Sequence, residues 1–185
     1  SLHRLRDAVE HDWPAPLKLE EHSRAGMAAG YAAGASNFPF GLVRGYEGTG
    51  LAERTNVGWV TCPFTGERLA AVPAIRPDVG VIHAQQADAR GNVQLWGISG
   101  VQKEVVLASS RSLVTVEEVV PKLEPRPNAV FLPSWTVTTV ALAPGGAHPS
   151  YAHGYYDRDN EFYVRWDEIS RDRERFLEWM ARHVL

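Results

Sequence analysis

The sequence predicts an α/β fold in which a largely parallel, open sheet is flanked by helices. Helical and strand-like patterns alternate along the chain, and the apolar, β-rich run at 78–83 is typical of a buried parallel strand. The 185 residues suffice for one core, so we expect a single α/β domain over residues 1–185. Hydrophobic residues make up 44% of the chain and charged residues 22%, which excludes disordered and fibrous proteins.

Four segments have the apolar spacing or the composition of helices. Two prolines within 13–16 end the first, because proline lacks a backbone donor and restricts the residue before it. Ser23 is a good N-cap for the second, whose Gly26, Gly30 and Gly34 lie on one face and allow a close approach to a neighbour. The predicted helices span 2–11, 24–35, 104–110 and 167–185.

The predicted strands are segments that are apolar or that alternate between apolar and polar residues. The turn sequence Phe-Thr-Gly-Glu at 64–67 predicts a hairpin within 57–72. The stretch 144–149, rich in proline and glycine, ends the last strand. The other predicted strands span 17–20, 40–43, 78–83, 93–96, 113–120, 129–132 and 135–142.

The charge balance and the single cysteine narrow the possible functions. The 19 Lys and Arg residues against 22 Asp and Glu give a formal charge of −3 without a basic block, so we expect no nucleic-acid partner. No run approaches the roughly 18 apolar residues of a membrane span, so we expect no membrane association. Cys62 alone cannot form an intramolecular disulfide, which favours a cytoplasmic location. We expect no metal site, because the histidines lack zinc-enzyme spacing.

Three loops, 21–24, 44–50 and 83–88, directly follow predicted strands. Because ligands of open α/β sheets bind at the carboxyl ends of strands, we expect these loops to gather at one rim of a shared sheet. Ser23 lies at a helix N-terminus, which favours a carboxylate or thioester oxygen, and a plain helix cap is the alternative. Arg44 is either a bidentate partner for a substrate carboxylate or a surface arginine beside turn glycines.

Three stretches of the sequence resemble a known family. The run 79–93, an apolar strand followed by Gln-Gln-Ala-Asp-Ala-Arg-Gly-Asn-Val, resembles the strand-loop signature of family I CoA-transferase A subunits. Residues 114–120 resemble the next strand of those proteins, and 145–149 resemble a glycine-rich stretch of the glutaconate CoA-transferase-like branch. This resemblance implies the fold of the CoA-transferase and sugar-phosphate isomerase-like superfamily.

The resemblance implies an enzyme subunit that moves CoA between short-chain or dicarboxylic acyl groups. In such transferases a B-subunit glutamate attacks the acyl-CoA thioester, giving an acyl-glutamyl anhydride and then an enzyme-CoA thioester. The implied partners are therefore a B subunit, acyl-CoA and carboxylate substrates, with the CoA thioester as substrate and no permanently bound cofactor. Because A subunits usually begin with a strand and a glycine-rich loop, we expect this chain to be incomplete at its amino terminus.

The resemblance also implies roles for individual residues. At the strand-to-helix turn, Glu21, Ser23 and Arg24 are the candidate catalytic residues, and Ser23 and Arg24 would line the thioester oxygen. Arg44 is the candidate for the substrate carboxylate. The predicted substrate-binding residues are His22, Arg44, Tyr46, Gln85, Asp88, Gly145, Gly146, Ala147 and His148. Among them, residues 145–148 would form a wall adjoining the thioester site.

Two other functions stay open at this point. One branch of the superfamily hydrolyses a carbon–carbon bond in steroid-ring CoA thioesters and uses an acidic residue near the same turn, a part that Glu20 or Glu21 could play. The wider superfamily also includes ligand-binding regulators with the same sheet. A non-catalytic ligand-binding or assembly domain is therefore the third hypothesis.

Overall fold

The computed structural model describes residues 2–184, which form two compact units. The larger unit contains residues 20–146 and 152–155. The smaller unit contains the residues up to 19, residues 147–151 and the residues from 156 onward. Among the described residues, no helix is both long enough and apolar enough to span a membrane.

Two helices begin the described chain and two end it, and the strands lie between them, interrupted by one helix and a short 3₁₀-helix. The helices are α1 (His3–Glu10), α2 (Arg24–Ala35), α3 (Gln102–Ala108), α4 (Asn160–Arg171) and α5 (Arg173–His183), with a 3₁₀-helix at Ser134–Thr136. The strands are β1 (Phe40–Val43), β2 (Gly58–Thr61), β3 (Arg68–Pro73), β4 (Val79–Asp88), β5 (Val93–Leu95), β6 (Arg111–Val120), β7 (Val130–Leu132) and β8 (Thr139–Leu142).

A five-stranded sheet in the order β7-β5-β4-β6-β8 carries the main core of the larger unit. β4 and β6 run parallel over their full length, from Val79 opposite Arg111 to Asp88 opposite Val120, and β8 joins β6 in parallel. The antiparallel strands β5 and β7 are only three residues long. The predicted sheet, largely parallel and flanked by helices, is therefore confirmed. Its most deeply buried side chains are those of Ala87, Val93, Val114, Val116 and Leu132.

A second sheet of the larger unit is antiparallel, in the order β1-β3-β2. Its strands β2 and β3 form the predicted hairpin, in which Trp59 pairs with Ala70. Helix α2 lies against β1, β3 and α3. A Cβ added at Gly34 would overlap the backbone carbonyl of Ile75, so the close approach predicted from the glycine spacing is confirmed.

Three strands predicted from the sequence need correction. Residues 17–20 form no regular strand, and all four are exposed, because no neighbouring strand pairs with them. The strand predicted to end at residue 83 continues to Asp88, because its polar second half pairs with β6. The segment 135–142 begins within the 3₁₀-helix, and only its second half forms the strand β8.

The single long helix predicted for 167–185 is also wrong. Asp172 has extended backbone angles, φ −99° and ψ 132°, and it separates α4 from α5. Its carboxylate accepts a hydrogen bond of 2.9 Å from the backbone N–H of Arg175 and so caps α5. Leu185, the last residue of that prediction, lies outside the described residues.

The smaller unit has hardly any buried side chains, and its helices are joined by rings and ion pairs. Within its described residues only Ser170 is buried. Trp166 of α4 lies edge-on to Trp179 of α5, with the ring centroids 4.9 Å apart. Asp7 of α1 accepts a hydrogen bond of 2.9 Å from Arg173 of α5, and this bond is the main reason that the pKa of Asp7 falls to about 2.

Candidate functional site

The turn at residues 20–24, here called the α2 turn, brings several predicted site residues together. Ser23 has the extended backbone of an N-cap, and its hydroxyl oxygen accepts a hydrogen bond of 3.0 Å from the backbone N–H of Gly26. This bond satisfies one of the N–H groups at the start of α2. The plain cap is therefore present, and it leaves the hydroxyl proton of Ser23 available for a second bond.

The hydroxyl group of Tyr46 holds the α2 turn through hydrogen bonds to two of its residues. Its ring is 1% exposed, and its hydroxyl oxygen accepts a bond of 3.1 Å from the backbone N–H of Ser23. The same hydroxyl lies 3.2 Å from Nδ1 of His22. A Cβ added at Gly26 would overlap this hydroxyl, which explains why glycine stands there. Tyr46 thus positions His22 and Ser23, and its buried ring leaves little surface for a substrate.

A cavity of about 300 Å³ opens beside the α2 turn. Its lining includes His22, whose Nε2 lies 2.9 Å from a carboxylate oxygen of Glu20. Glu21 and Arg24 are exposed, and the backbone carbonyl of Glu21 accepts a hydrogen bond from the hydroxyl of Thr55. The turn therefore offers a hydroxyl, a helix N-terminus and a cation to an oxyanion.

Arg44 already has a carboxylate partner. Its Nε and Nη2 donate hydrogen bonds of 2.6 and 2.7 Å to the two carboxylate oxygens of Glu67. These bonds hold the pKa of Glu67 below its ordinary value and raise the pKa of Arg44. The side chain is 77% exposed, so its remaining N–H donors still face solvent.

Gln85 and Asp88 have structural partners. Gln85 is buried, and its amide donates to the carbonyl of Trp96 at 3.0 Å and accepts from the N–H of Trp96 at 3.1 Å. Asp88 accepts bonds from the backbone N–H groups of Arg90 and Asn92 and from the side-chain amide of Asn92. Both side chains thereby hold the turn between β4 and β5, and their predicted contact with substrate stays a prediction.

Beneath Gly145 lies a pair of residues that sequence reasoning did not assign to the site. Nε2 of His83 lies 2.6 Å from a carboxylate oxygen of Glu117, whose side chain is 3% exposed. The other oxygen of that carboxylate accepts a bond of 2.7 Å from the backbone N–H of Gly145. A Cβ added at Gly146 would come within 2.8 Å of the His83 ring. The pair therefore holds the predicted Gly145–Gly146 wall at the end of β8.

Glu118, the next residue, also lay outside the predicted site. It accepts hydrogen bonds of 2.8 Å from Gln86 and 3.0 Å from the hydroxyl of Tyr155, which lower the pKa of its carboxyl group. Burial and this bond raise the pKa of Tyr155. Two adjacent carboxylates inside an apolar, alternating strand were the sequence signal that could have drawn attention to Glu117 and Glu118.

The other two wall residues, Ala147 and His148, belong to the smaller unit. The backbone N–H of Ala147 donates a bond of 2.9 Å to the hydroxyl of Tyr156. Nε2 of His148 lies 3.1 Å from a carboxylate oxygen of Asp159, which also caps α4 through Phe162. Both residues therefore serve the local structure of the smaller unit, and their contact with substrate stays a prediction.

The expectation of one shared sheet beneath three loops is wrong. Arg44 follows β1 of the antiparallel sheet, whereas Gln85 lies within β4 of the five-stranded sheet. Hydrogen bonds join the α2 turn to the loop at 44–50 through Tyr46. Over residues 2–184, the structure gathers no group of three His, Cys, Asp or Glu side chains that could hold a metal ion.

A sequence model of the coenzyme A transferase family matches residues 15–143. The chain belongs to the coenzyme A transferase family. The matched segment contains the α2 turn, Arg44, the strands β4 and β6, and the His83–Glu117 pair. The predicted wall at 145–148 lies just beyond it.

Two relatives place this coenzyme A transferase chain among A subunits. It is 57% identical over 185 residues to the A subunit of 3-oxoadipate CoA-transferase from Pseudomonas knackmussii, covering 100% of this chain and 66% of that protein. It is 33% identical over 179 residues to the A subunit of glutaconate CoA-transferase from Acidaminococcus fermentans, covering 86% of this chain and 56% of that protein.

The crystal structure of glutaconate CoA-transferase from Acidaminococcus fermentans matches with a TM-score of 0.78 at 30% identity, covering 89% of this chain and 58% of that one. The resemblance to family I A subunits and to the glutaconate branch is therefore confirmed. This chain spans less than two thirds of the length of each of these relatives.

Proposed function

We propose that the protein carrying this chain is the A subunit of a CoA-transferase that moves CoA between short-chain dicarboxylic acyl groups. The observation that carries this proposal is the 57% identity, over all 185 residues, to the A subunit of a 3-oxoadipate CoA-transferase. The partner is a B subunit that holds the nucleophilic glutamate. The CoA thioester is a substrate, no cofactor is permanently bound, and the location is cytoplasmic.

In this proposal the α2 turn stabilises the oxyanion that forms when the partner's glutamate attacks the thioester carbonyl. Ser23 accepts its cap bond from Gly26, so its hydroxyl proton can point to the thioester oxygen. Arg24 adds a positive charge one residue further on, at the first position of α2. Tyr46 and His22 hold the turn in place.

Arg44 binds the distal carboxylate of the dicarboxylic substrate in this proposal. Its bonds to Glu67 occupy Nε and one Nη2 hydrogen, so three N–H donors remain for a second carboxylate. Glu67 neutralises the guanidinium and weakens its attraction for that carboxylate. We therefore expect Glu67→Gln to lower the KM for a dicarboxylic substrate and to leave the KM for a monocarboxylic substrate unchanged.

The full-length protein, coexpressed with its B subunit, provides the test. The assay measures CoA exchange and thioester hydrolysis over a panel of dicarboxylic acyl-CoA substrates. Loss of one oxyanion donor typically lowers kcat about 10²- to 10³-fold, and we expect this from Ser23→Gly and Arg24→Gln. Glycine at an N-cap costs only a few tenths of a kcal/mol, so the loss cannot be assigned to fraying of α2. Ser36→Ala and Arg54→Gln are matched controls at exposed positions and should keep full activity.

Each hypothesis gives a different result. CoA exchange, with a thioester trapped on the partner chain, supports the transferase. Water-dependent loss of the acyl-CoA that Glu21→Gln abolishes would instead establish the ring-cleaving hydrolase. Thermal stabilisation by a ligand without any turnover would establish the sensor.

A further inference from the structure

A chain of hydrogen bonds runs from the two central strands to the turn that follows β8. In the parallel register, His83 of β4 lies opposite Thr115 of β6, and Glu117 follows two residues later on the same face of the sheet. Nδ1 of His83 lies 2.8 Å from the hydroxyl oxygen of Thr115, and Nε2 lies 2.6 Å from one carboxylate oxygen of Glu117. The other oxygen of that carboxylate accepts the bond of 2.7 Å from the backbone N–H of Gly145. The strand register thus arranges three side chains that lead to one backbone group of the turn.

These contacts determine which ring nitrogen of His83 carries the proton. An ionised carboxylate only accepts hydrogen bonds, so Nε2 must be the nitrogen that donates to Glu117. Nδ1 then accepts a bond from the hydroxyl of Thr115, whose other acceptor, the carbonyl of Ile82, is farther away at 3.4 Å. The distances therefore favour the neutral imidazole with its proton on Nε2.

The turn at the end of this chain leaves the direction of one peptide open. Residues 143–146 form a β-turn closed by a hydrogen bond of 2.9 Å between its last N–H and its first carbonyl, with Gly145 at φ 78° in the third position. The closing bond does not use the N–H of Gly145, so the bond to Glu117 decides which way that peptide faces. The His83 ring lies so close to Gly146 that an added Cβ would come within 2.8 Å of it. One hydrogen bond and one ring contact therefore hold the turn.

Stability is a poor reason for a carboxylate at this place. The side chain of Glu117 is 3% exposed, and burial removes the hydration of a charged group at a high cost in free energy. Buried charged networks are often no more stabilising than apolar side chains of similar volume. What an apolar side chain could not supply here is the acceptor that directs the N–H of Gly145. The carboxylate is therefore better explained by the position that it gives to the turn.

We propose that His83 and Glu117 are positioning residues for CoA transfer, which hold the turn at 143–146 in the orientation that aligns the reacting acyl group. This inference rests on the proposed function, in which Gly145 and Gly146 belong to a wall beside the thioester. The two side chains act through the backbone of the turn and take no part in the chemistry. Because a misplacement of about 1 Å can slow a reaction about 100-fold, a loosened wall should lower kcat more than it raises KM.

The kinetic test uses the full-length protein assembled with its B subunit, in the CoA-exchange assay. We expect Glu117→Leu to lower kcat about 10- to 100-fold and to change the KM for acyl-CoA by less than about threefold. Glu117→Gln should keep kcat within about threefold of the unaltered enzyme, because an amide can accept from Gly145 and donate to His83. Glu124→Leu removes an exposed acid in the loop after β6 and is the matched control, which should keep full activity.

Two further measurements follow the hydrogen bonds themselves. ¹⁵N-histidine NMR should find the proton of His83 on Nε2 in the unaltered protein and on Nδ1 in Glu117→Gln, where the amide nitrogen can only donate to Nε2. Hydrogen–deuterium exchange of the Gly145 amide should become about tenfold faster in Glu117→Leu, the effect of losing one charge-assisted bond. The exchange should stay unchanged in Glu124→Leu. If Glu117→Leu does not fold, the tautomer and the kcat of Glu117→Gln still decide the question.

Three results would overturn the inference. Glu117→Gln may be as inactive as Glu117→Leu, which would make the charge of Glu117 part of the chemistry. Glu117→Leu may fold and keep its kcat, which would leave the pair a role in structure only. The proton of His83 may lie on Nδ1 in the unaltered protein, which would contradict the hydrogen-bond chain.

The same experiments separate this inference from the proposed function. If the unaltered complex transfers CoA and Glu117→Leu transfers it equally fast, the positioning role is wrong and the transferase stands. If the tautomer and the Gly145 exchange respond as expected but the unaltered complex transfers no CoA, the transferase is wrong, and the control of the turn by His83 and Glu117 stands.

Discussion

The two compact units of the molecule are stabilised by different means. In the larger unit, small and branched apolar side chains such as Val114 and Leu132 are almost completely buried in the core on the five-stranded sheet. In the smaller unit, whose described residues include a single buried side chain, aromatic rings and ion pairs join three helices. The larger unit therefore depends on volume and close packing, whereas the smaller one depends on rings and charges.

This difference can be measured unit by unit, because the six tryptophans are divided equally. Trp59, Trp96 and Trp135 belong to the larger unit, and the others, Trp13, Trp166 and Trp179, belong to the smaller. Incorporation of 5-fluorotryptophan lets ¹⁹F NMR follow the unfolding of each unit in urea.

The largest effect should come from a cavity in the sheet core. Leu132 is 1% exposed and pairs with Val93 in the sheet, so Leu132→Ala should lower the free energy of unfolding by about 2–5 kcal/mol. The urea midpoint of the Trp59 and Trp96 signals should fall accordingly. Ile98→Ala, at a side chain that is 87% exposed, is the control and should change it by at most about 0.5 kcal/mol. Equal urea midpoints for the two variants would contradict the conclusion that close packing stabilises the larger unit.

A smaller loss should follow when the central ring of the smaller unit is removed. Trp166 contacts Phe162, Phe176 and Trp179. Each aromatic pair contributes about 0.5–1.5 kcal/mol beyond its buried area, so Trp166→Leu should cost about 2 kcal/mol, read from the Trp13 and Trp179 signals. Val164→Ala, on the same helix and 65% exposed, is the matched control. If both substitutions gave the same midpoint, the rings would not be what holds these helices.

The smallest effect should be the part of the smaller unit's pH dependence that comes from Asp7. Hydrogen bonding to Arg173 lowers the pKa of Asp7 from 3.8 to about 2, so the ionised form stabilises the folded state. This stabilisation is complete above about pH 4 and is lost as the pH falls through about 2. The Trp13 midpoint should therefore drop over that interval, and Asp7→Asn should flatten the drop. Glu10→Gln, an exposed acid of the same helix, should leave it unchanged.

The sequence predicted most of the larger unit, because alternating and continuous apolar runs report directly on burial. It ended β4 too early, since the polar residues after Ile82 look like a loop unless their pairing with β6 is known. Such long-range pairing leaves no local pattern. The break at Asp172 was missed for a related reason, because an aspartate that caps a new helix has the same identity as one on a solvent-exposed helix face.

The α2 turn was predictable in its position, but the residues that support it were not. Ser23 and the glycine spacing located the α2 turn from the sequence alone. That Tyr46 would be buried beneath it, 23 residues along the chain, depends on how α2 packs. Glu117 was not assigned to the site because its partners are distant in sequence: His83 lies in β4, and Gly145 lies in the loop after β8. Arg44 was assigned from its charge, without knowledge of Glu67 across the sheet.

The side-chain amide of Gln85 replaces a pair of backbone hydrogen bonds between strands. It donates a hydrogen bond to the backbone carbonyl of Trp96 and accepts one from the backbone N–H of the same residue, as a paired strand would. These two bonds extend the pairing of β5 by one residue. A carboxylate of the same shape cannot do both, because it has lost the donor. Gln85→Glu would therefore lose the bond to the carbonyl of Trp96 and loosen the end of β5. A loss of activity in this variant could be mistaken for the loss of a catalytic group.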